Sequence, residues 1–252
     1  MKVIFIHHSC FLIEVDEKVF IFDWFAGDRV NGYRFKGVLP EYEPDTPVYV
    51  FASHKHQDHF DMDVLRLAEK YTNIQFILSK DCKMTPHFLE KHSINPKVRE
   101  KITYVSPRAK YEIDGGVYVE TLRSTDVGVA FYVETNGAGF FHAGDLNDWR
   151  FEGVEDLTSY KMRSEFQREI NLLSRKNINL AFVPVDPRLG ANQWNALEYV
   201  LEHTDAEYVF PMHMWQDYSG IATFIRRQKN PRYAERVIPI THENQVFDIL
   251  EA

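Results

Sequence analysis

One short loop limits what this chain can fold into and what it can do. The run SHKHQDH, residues 53–59, places three imidazoles and one carboxylate within six residues, His54 to His59. It directly follows the apolar run Val48 to Ala52, which predicts a buried strand, so the cluster is expected on the loop after that strand. On a regular strand His59 would point away from the other three groups. A tight turn would instead let His54 and His56 converge on one cation while Asp58 and His59 face a second.

The ligand types in this loop indicate the kind of metal. Imidazole and carboxylate groups suit Zn, Mn or Fe, and the lack of cysteine in the loop disfavours a structural zinc site. Four side chains of this type at this spacing are rarely ordinary surface or core residues. The loop therefore predicts a metal site.

The length and composition fit one large folded domain. The chain has 252 residues, of which 44% are hydrophobic and 14% aromatic. A chain of this size can bury a large core. Since no linker, repeat or low-complexity segment interrupts the sequence, we expect a single domain spanning residues 1–252.

Charge and terminal sequence limit the partners and the compartment. The formal net charge is −8, which is poorly suited to broad electrostatic capture of nucleic acid. No apolar run is long enough to span a bilayer, and the N-terminal sequence lacks the features of a secretory signal. Cys10 and Cys82 are far apart and unpatterned, which favours a cytoplasmic protein with free thiols. We expect a small-molecule substrate, with phosphorylated compounds among the candidates; the oligomeric state is left open.

The first half of the chain alternates between strand and helix patterns. Three short strands are predicted at 2–7, 10–15 and 18–22. The aromatic-rich segment 24–47 is irregular, and is either a functional lid or binding loop or a cover for the core edge. After the metal loop we expect a helix at 61–71 with Asp61 as its N-cap, a strand at 75–78 and a helix at 85–92.

The second half begins with several strands. Those at 102–105, 111–113, 117–123, 129–134 and 139–142 are expected to form an antiparallel meander, because turn signals separate them. A helical region follows at about 155–175, with Met162, Phe166, Ile170 and Leu173 on one face. The remaining elements are a strand at 180–185, a helix at 193–203, a strand at 208–211, a helix at 221–228 and closing strands near 237–240 and 245–250.

The H-x-H-x-D-H pattern of the loop resembles the motif of the metallo-β-lactamase fold superfamily of metal-dependent hydrolases. The resemblance implies an α/β fold, a four-layer α/β/β/α sandwich of the metallo-β-lactamase type. It also implies two divalent metal ions, with Zn favoured and Mn or Fe as alternatives. The first ion would be held by His54, His56, Asp126 and Asp145, and the second by Asp58, His59, Asp145 and His213.

Three of those ligands lie outside the loop. Asp145 ends the apolar run FFHAGD, which looks like the family motif whose carboxylate bridges both metals, and His213 ends the run VFPMH. The family usually places a histidine in the loop before the strand at 129–134, but here that loop, RSTDVG, has none. Asp126 is the preferred replacement and Ser124 the alternative. A carboxylate at this position would harden the first site.

Other residues are assigned supporting roles through the same resemblance. Asp23 is expected to brace the metal loop. His8-Ser9 matches a small motif of hydrolases resembling the ascorbate-6-phosphate lactonase group, and strand alternation allows only one of His7 and His8 to face the site. Besides the ligand Asp58, His8 is therefore assigned to catalysis.

Two further residues are candidates at the edge of the site. His142 is a second candidate for proton transfer, next to His8. Arg188 could grip a phosphate or carboxylate through two hydrogen bonds, or it could be a surface ion-pair partner.

These observations lead to the hypothesis of a metal-dependent hydrolase. A hydroxide bridging the two cations would attack an ester, a lactone or a phosphodiester of a small molecule. A lactonase acting on a sugar phosphate is a narrower version. One alternative is a di-iron redox or oxygen-sensing protein on the same fold, although those relatives typically carry Glu where this chain has His56. The other is a binding module with a degraded site, supported by the missing histidine before Asp126.

Overall fold

A computed structural model describes residues 1–154 and 156–249 of the chain. They form two compact units, here called the first unit, Met1–Ser106 with Glu243–Ala252, and the second unit, Pro107–His242. Each unit is built on one mixed sheet. Within the described ranges, no helix is long and apolar enough to cross a bilayer. That the units form a single domain stays a prediction.

The first unit contains a seven-stranded sheet. Its strands are β1 (Lys2–His7), β2 (Cys10–Val15), β3 (Lys18–Phe22), β4 (Val48–Ala52), β5 (Ile74–Ser79), β6 (Ile102–Val105) and β13 (Gln245–Asp248). Their order across the sheet is β13-β1-β2-β3-β4-β5-β6. From β13 to β3 neighbours are antiparallel, and from β3 to β6 they are parallel. The predicted strand before the metal loop is β4, and all five of its residues are buried.

Short helices connect the parallel strands of this sheet. In the described part of the chain they are the 3₁₀ helices Met62–Glu69, Lys80–Cys82 and Pro96–Lys101 and the helix α1 (Pro86–Lys91). The carboxylate of Asp61 accepts a hydrogen bond from the amide of Asp63, and the hydroxyl of Thr85 accepts one from the amide of Phe88. Each cap satisfies an amide that the helix itself leaves unpaired. The predicted helices and the Asp61 cap are therefore confirmed.

The second unit contains a six-stranded sheet. Its strands are β7 (Lys110–Ile113), β8 (Val117–Arg123), β9 (Val129–Thr135), β10 (Ala138–His142), β11 (Leu180–Pro184) and β12 (Tyr208–Met212). They lie in the order β12-β11-β10-β9-β8-β7. Strands β7 to β10 form the predicted antiparallel meander, and β10, β11 and β12 are parallel.

The prediction that β6 belongs to this meander was wrong. β6 pairs with β5 in the first unit, and the two strands are parallel. The chain between them passes through α1 and a 3₁₀ helix, and a crossover of this kind returns the chain in the same direction. Turn residues in the sequence mark where the strand ends, but not which strand it pairs with.

Within the described residues, four α-helices accompany the second sheet: α2 (Leu157–Ile170), α3 (Asn195–His203), α4 (Ser219–Arg227) and α5 (Pro231–Arg236). Two 3₁₀ helices, Asn171–Leu173 and Pro187–Trp194, follow α2 and β11. Phe166 and Ile170 of α2 are buried, as its predicted face requires. The predicted strand at 237–240 was wrong, since Val237 forms only an isolated bridge with Val209. Pro239 follows two residues later and has no amide hydrogen to continue a ladder.

Two predicted element ends lie outside the described residues. They are Glu155, at the start of the helical region, and Leu250, at the end of the closing strand. The described part of that strand, β13, ends at Asp248.

The segment 24–47 is irregular, as predicted. Its Phe25 and Phe35 are buried, and their ring centroids lie 4.5 Å and 5.3 Å from that of His7. These contacts support the interpretation that its aromatic residues cover the core edge at the end of β1.

Candidate metal centre

The metal loop of the first unit begins where two parallel strands end together. Asp23 follows β3 and Ser53 follows β4, and the amide of Asp23 donates to the carbonyl of Phe51 at 2.9 Å. The loop then turns tightly, because the amides of His59 and Phe60 both donate to the carbonyl of His56, at 3.0 Å and 2.9 Å. This turn brings the side chains of the motif together.

The donor atoms of the loop fall into two pairs. His54 Nε2 and His56 Nδ1 are 2.9 Å apart, and Asp58 Oδ2 and His59 Nε2 are 3.8 Å apart. Two donors that share one zinc ion at about 2.1 Å lie about 3–4 Å from each other. Both separations are therefore compatible with shared cations, in the pairing that the sequence predicts.

Asp23 ties the loop to the end of β3. Its carboxylate, which is fully buried, accepts hydrogen bonds from the amide and the hydroxyl of Ser53, both at 2.7 Å. Its Oδ2 also lies 2.8 Å from His59 Nδ1. A carboxylate on Nδ1 leaves Nε2 as the atom that His59 offers to a metal.

The two histidines after β1 have different surroundings. His7 packs against Phe25 and Phe35, and burial lowers the pKa of its imidazole to about 4. The imidazole of His8 is also buried, but its Nε2 lies 3.3 Å from Asp58 Oδ2. Of the two, His8 is thus the one that reaches the metal loop.

In the second unit, Asp126 and Asp145 lie side by side. Thr125 joins their loops, since its hydroxyl accepts from the amide of Asn147 at 2.9 Å and donates to the carbonyl of Asn147 at 2.7 Å. The ligand oxygens of Asp126 and Asp145 lie within 4.8 Å of each other. Ser124 Oγ accepts from the amide of Asp126 at 3.1 Å, so this hydroxyl shapes the loop that carries Asp126.

His213 completes the candidate ligands of the second unit. Its Nε2 is 3.4 Å from Asp145 Oδ1, and its Nδ1 is 3.0 Å from Asp186 Oδ2. The indole of Trp149 lies edge-on to the His213 ring, and its Nε1 donates to the carbonyl of Asp145 at 3.0 Å. His213 therefore also offers Nε2, with Nδ1 facing a carboxylate.

Asp186 is a functional candidate that sequence reasoning did not single out for this position. Burial alone raises its pKa, but hydrogen bonds from His213 and Arg188 outweigh that effect and hold the pKa well below its usual range. The signal for Asp186 was its place just beyond the end of β11, after Val185, while His213 follows β12 directly. Since β11 and β12 are parallel neighbours, both residues emerge at the same edge of the sheet.

Two other predicted residues have structural contacts. His142 is buried at the end of β10, and its Nδ1 accepts from the amide of Gly144 at 3.2 Å. Arg188 donates through Nε to Asp186 at 2.9 Å, and its guanidinium lies 4.6 Å from the ring centroid of Trp215. Roles for His142 in proton transfer and for Arg188 toward a substrate stay predictions.

The donor sets of both units fit divalent metal ions. The first unit offers several imidazoles and the Asp58 carboxylate, and the second unit offers the His213 imidazole and two carboxylates. These are ligand classes that Zn, Mn and Fe accept in proteins. Each unit also holds one histidine by a buried carboxylate, which is the usual support for a metal-ligating imidazole.

Comparisons with known proteins identify the fold. Igni18, a metallo hydrolase from the hyperthermophilic archaeon Ignicoccus hospitalis, is 15% identical, with a TM-score of 0.61 over 99% of both chains. The metallo-beta-lactamase fold protein YhfI from Bacillus subtilis is 13% identical, with a TM-score of 0.56 over 98% of both chains. CmlA, a diiron beta-hydroxylase from Streptomyces venezuelae, is 10% identical, with a TM-score of 0.50 over 95% of this chain and 47% of CmlA.

At these identities the structural likeness establishes the fold and not the reaction. The family model for the beta-lactamase superfamily domain matches residues 2–152, which is more than half of the chain. The predicted fold class is confirmed, with two mixed sheets accompanied by helices. The chain belongs to the beta-lactamase superfamily and has the metallo-β-lactamase fold.

Proposed function

We propose that this protein is a metal-dependent hydrolase that cleaves an ester, a lactone or a phosphodiester of a small molecule. One observation carries the proposal: in each unit a buried carboxylate holds Nδ1 of a ligand histidine and leaves Nε2 for a metal. Asp23 does this for His59, and Asp186 does it for His213. An arrangement of this kind orients a ligand and raises its basicity, which a purely structural histidine does not need.

The ligand assignment follows the family pattern except at Asp126, which takes the place of the family's usual histidine. The first cation is assigned to His54, His56, Asp126 and Asp145, and the second to Asp58, His59, Asp145 and His213. Two divalent cations held by such a set would polarise the substrate and would lower the pKa of a bound water molecule to near neutrality. Zn is the first candidate because imidazole donors are numerous, and the Asp126 carboxylate keeps Mn and Fe as alternatives.

The protein's own contribution is to fix the positions of the donor atoms. Asp23 and Asp186 fix which nitrogen His59 and His213 present. The indole of Trp149 packs edge-on against His213 and anchors the backbone of Asp145. A donor set fixed in this way needs little rearrangement when the reaction begins.

A groove in the first unit bears on the substrate class. It has a volume of about 1000 Å³ and borders the metal loop at Lys55 and Gln57. Lys83 and the apolar side chains of Met84 and Phe88 also line it. Within the described residues, neither lysine ammonium forms an ion pair. Four carboxylates, those of Asp28, Asp61, Asp63 and Asp81, line the groove as well, so its charges are mixed. The groove by itself therefore does not favour an anionic substrate, and a phosphorylated substrate stays one candidate of the proposal.

The test is metal analysis followed by a substrate panel. Protein purified without added metal is analysed for bound Zn, Mn and Fe, and is then assayed with phosphodiesters, lactones, including sugar-phosphate lactones, and carboxylic esters. We expect about two divalent cations per chain and hydrolysis of at least one class, abolished by a chelator and restored by metal. Absence of bound metal after reconstitution would refute the proposal.

A di-iron redox protein is the second candidate, favoured by the likeness to CmlA. The observation against it is His56, which stands where such relatives typically carry Glu. Anaerobic assays with Zn or Mn separate the two candidates, since a hydrolase keeps its activity under these conditions. Activity that requires both iron and oxygen would support the redox protein instead.

A further inference from the structure

The end of β1 carries two adjacent buried histidines that serve different purposes. His7 is enclosed by Phe25 and Phe35, whose ring centroids lie 4.5 Å and 5.3 Å from its own. His8 is directed to the metal loop, with its ring centroid 5.8 Å from that of His59. The pair thus contains one histidine packed among aromatic rings and one that faces metal ligands.

The backbone of His8 is unusual for a residue with a side chain. Its φ angle is +48°, in the left-handed region that L residues rarely adopt. Such a conformation is unfavourable and persists where the surrounding structure enforces it, often at functional sites. Here it marks the turn from β1 to β2 and directs the imidazole of His8 to Asp58.

The distances around Asp58 correspond to donors on a common cation. Asp58 Oδ2 is 3.3 Å from His8 Nε2 and 3.8 Å from His59 Nε2, and the ligand atoms of the three residues all lie within 4.8 Å of one another. Two donors at about 2.1 Å from one zinc ion are about 3.0 Å apart at a right angle and about 3.4 Å apart at the tetrahedral angle. The His8–Asp58 separation lies within that range and slightly beyond the usual N–H···O hydrogen bond of about 2.7–3.2 Å. The Asp58–His59 separation of 3.8 Å is wider and corresponds to an angle of about 130° between the two donors.

We propose that His8 is an additional ligand of the second cation, bound through Nε2 beside Asp58 and His59. The inference rests on the proposed function, which assigns that cation to Asp58, His59, Asp145 and His213. His8 would be a fifth protein donor, and it is neutral. The second site would then exceed the four ligands of a tetrahedral zinc site, whereas the first site keeps four.

The experiment compares four full-length proteins: the native chain, His8→Asn, His7→Phe and Asp58→Ala. Asn tolerates a positive φ, so His8→Asn keeps the turn while removing the imidazole. His7→Phe is the matched control, a change of the neighbouring buried histidine to a ring of similar size. Thermal unfolding checks that each protein is folded. Each is then freed of metal and titrated with Co²⁺ in the presence of a competing chelator.

We expect His8→Asn to weaken binding of one Co²⁺ equivalent at least about tenfold, since even residues that only support a ligand cost about 10–100-fold in metal affinity. The visible absorption of bound Co²⁺ should also rise, because cobalt absorbs more strongly as its coordination number falls. His7→Phe should bind both equivalents as the native protein does. If His8→Asn and His7→Phe bind Co²⁺ equally well while Asp58→Ala binds it more weakly, the role of His8 is overturned and the proposed metal centre stands.

Two further outcomes distinguish a failure of this inference from a failure of the proposed function on which it rests. If Asp58→Ala binds metal as the native chain does, the proposed metal centre fails and the role of His8 fails with it. A crystal structure of the native protein with bound metal tests His8 without any variant. A distance of about 2.0–2.2 Å from His8 Nε2 to the second cation supports the proposal, and one beyond about 3 Å overturns it.

Discussion

The two units hold a histidine in the same way but carry their ligands differently. In the first unit, Asp23 contacts His59 Nδ1 at 2.8 Å, and in the second, Asp186 contacts His213 Nδ1 at 3.0 Å. The candidate ligands of the first unit lie mostly in one loop after β4. Those of the second unit follow three separate strands, β8, β10 and β12.

This difference has a physical cause. A tight turn can bring together side chains that are two to five residues apart, as the hydrogen bonds to the carbonyl of His56 do in the first unit. In the second unit, strand pairing brings together residues that are 27 positions apart, Asp186 and His213, because β11 and β12 are parallel neighbours. Ligands in one loop depend on local turns, and dispersed ligands depend on sheet order.

The largest effect should come from Asp145, the ligand assigned to both cations. Asp145→Asn removes the charge with little change in shape and should reduce bound metal from about two cations per chain to nearly none. His59→Ala removes a ligand of one cation only and should leave about one. Metal analysis after gel filtration measures both. Equal stoichiometry in the two variants would contradict a bridging role for Asp145.

Asp126 tests the position where this chain departs from the family pattern. It is exposed, so Asp126→Ala should change the free energy of unfolding by about 0.5 kcal/mol or less. The variant should bind about one cation instead of two and lose most hydrolysis. Asp126→His should restore the second cation, with a shift toward Zn. If Ser124→Ala loses a cation while Asp126→Ala keeps both, the ligand is Ser124.

Much of the fold could be predicted from sequence because its determinants are local. The bounds of β1, β2 and β3 follow from apolar runs broken by turn residues. The partner of β6 could not be predicted, since it depends on a strand distant in sequence. The candidate ligands were found as motifs at strand ends, whereas the contact of Asp186 with His213 required knowledge that β11 and β12 are neighbours.

The bracing carboxylates should differ in their effect on stability. Asp23→Ala leaves the buried amide and hydroxyl of Ser53 without their acceptor, which costs about 1–3 kcal/mol for each such group. Asp186→Ala also leaves one buried group, the imidazole of His213, without its carboxylate. It should still cost less than Asp23→Ala, because its other side-chain partners, Arg188 and Trp215, are only partly buried and can bind water instead. Urea unfolding of both variants measures this difference.

Metal affinity should respond similarly to both changes, with a loss of about 10–100-fold in each. The matched variants Asp23→Asn and Asp186→Asn keep one acceptor oxygen and should be milder in both assays. A greater loss of stability in Asp186→Ala than in Asp23→Ala would contradict this account of the two braces.

The smallest effect is a thiol reaction that reports on one unit alone. Cys10 and Cys82 are the two cysteines of the chain, and both lie buried in the first unit. Burial raises the pKa of each thiol, with a smaller contribution from nearby carboxylates, so little reactive thiolate forms near neutral pH.

Labelling by a disulfide reagent should therefore be slow in the native protein and should proceed through opening of the first unit. Asp23→Ala should accelerate it, because that carboxylate ties the metal loop to β3 in the same unit. Loss of its charge also removes one cause of the raised pKa of both thiols, so the rate is compared at several pH values to separate the two effects. Asp186→Ala serves as the matched control and should leave the rate within about twofold of the native value, corresponding to about 0.4 kcal/mol in the opening equilibrium. Equal acceleration by both variants would mean that the two units open together, which would support the single domain that the sequence predicts.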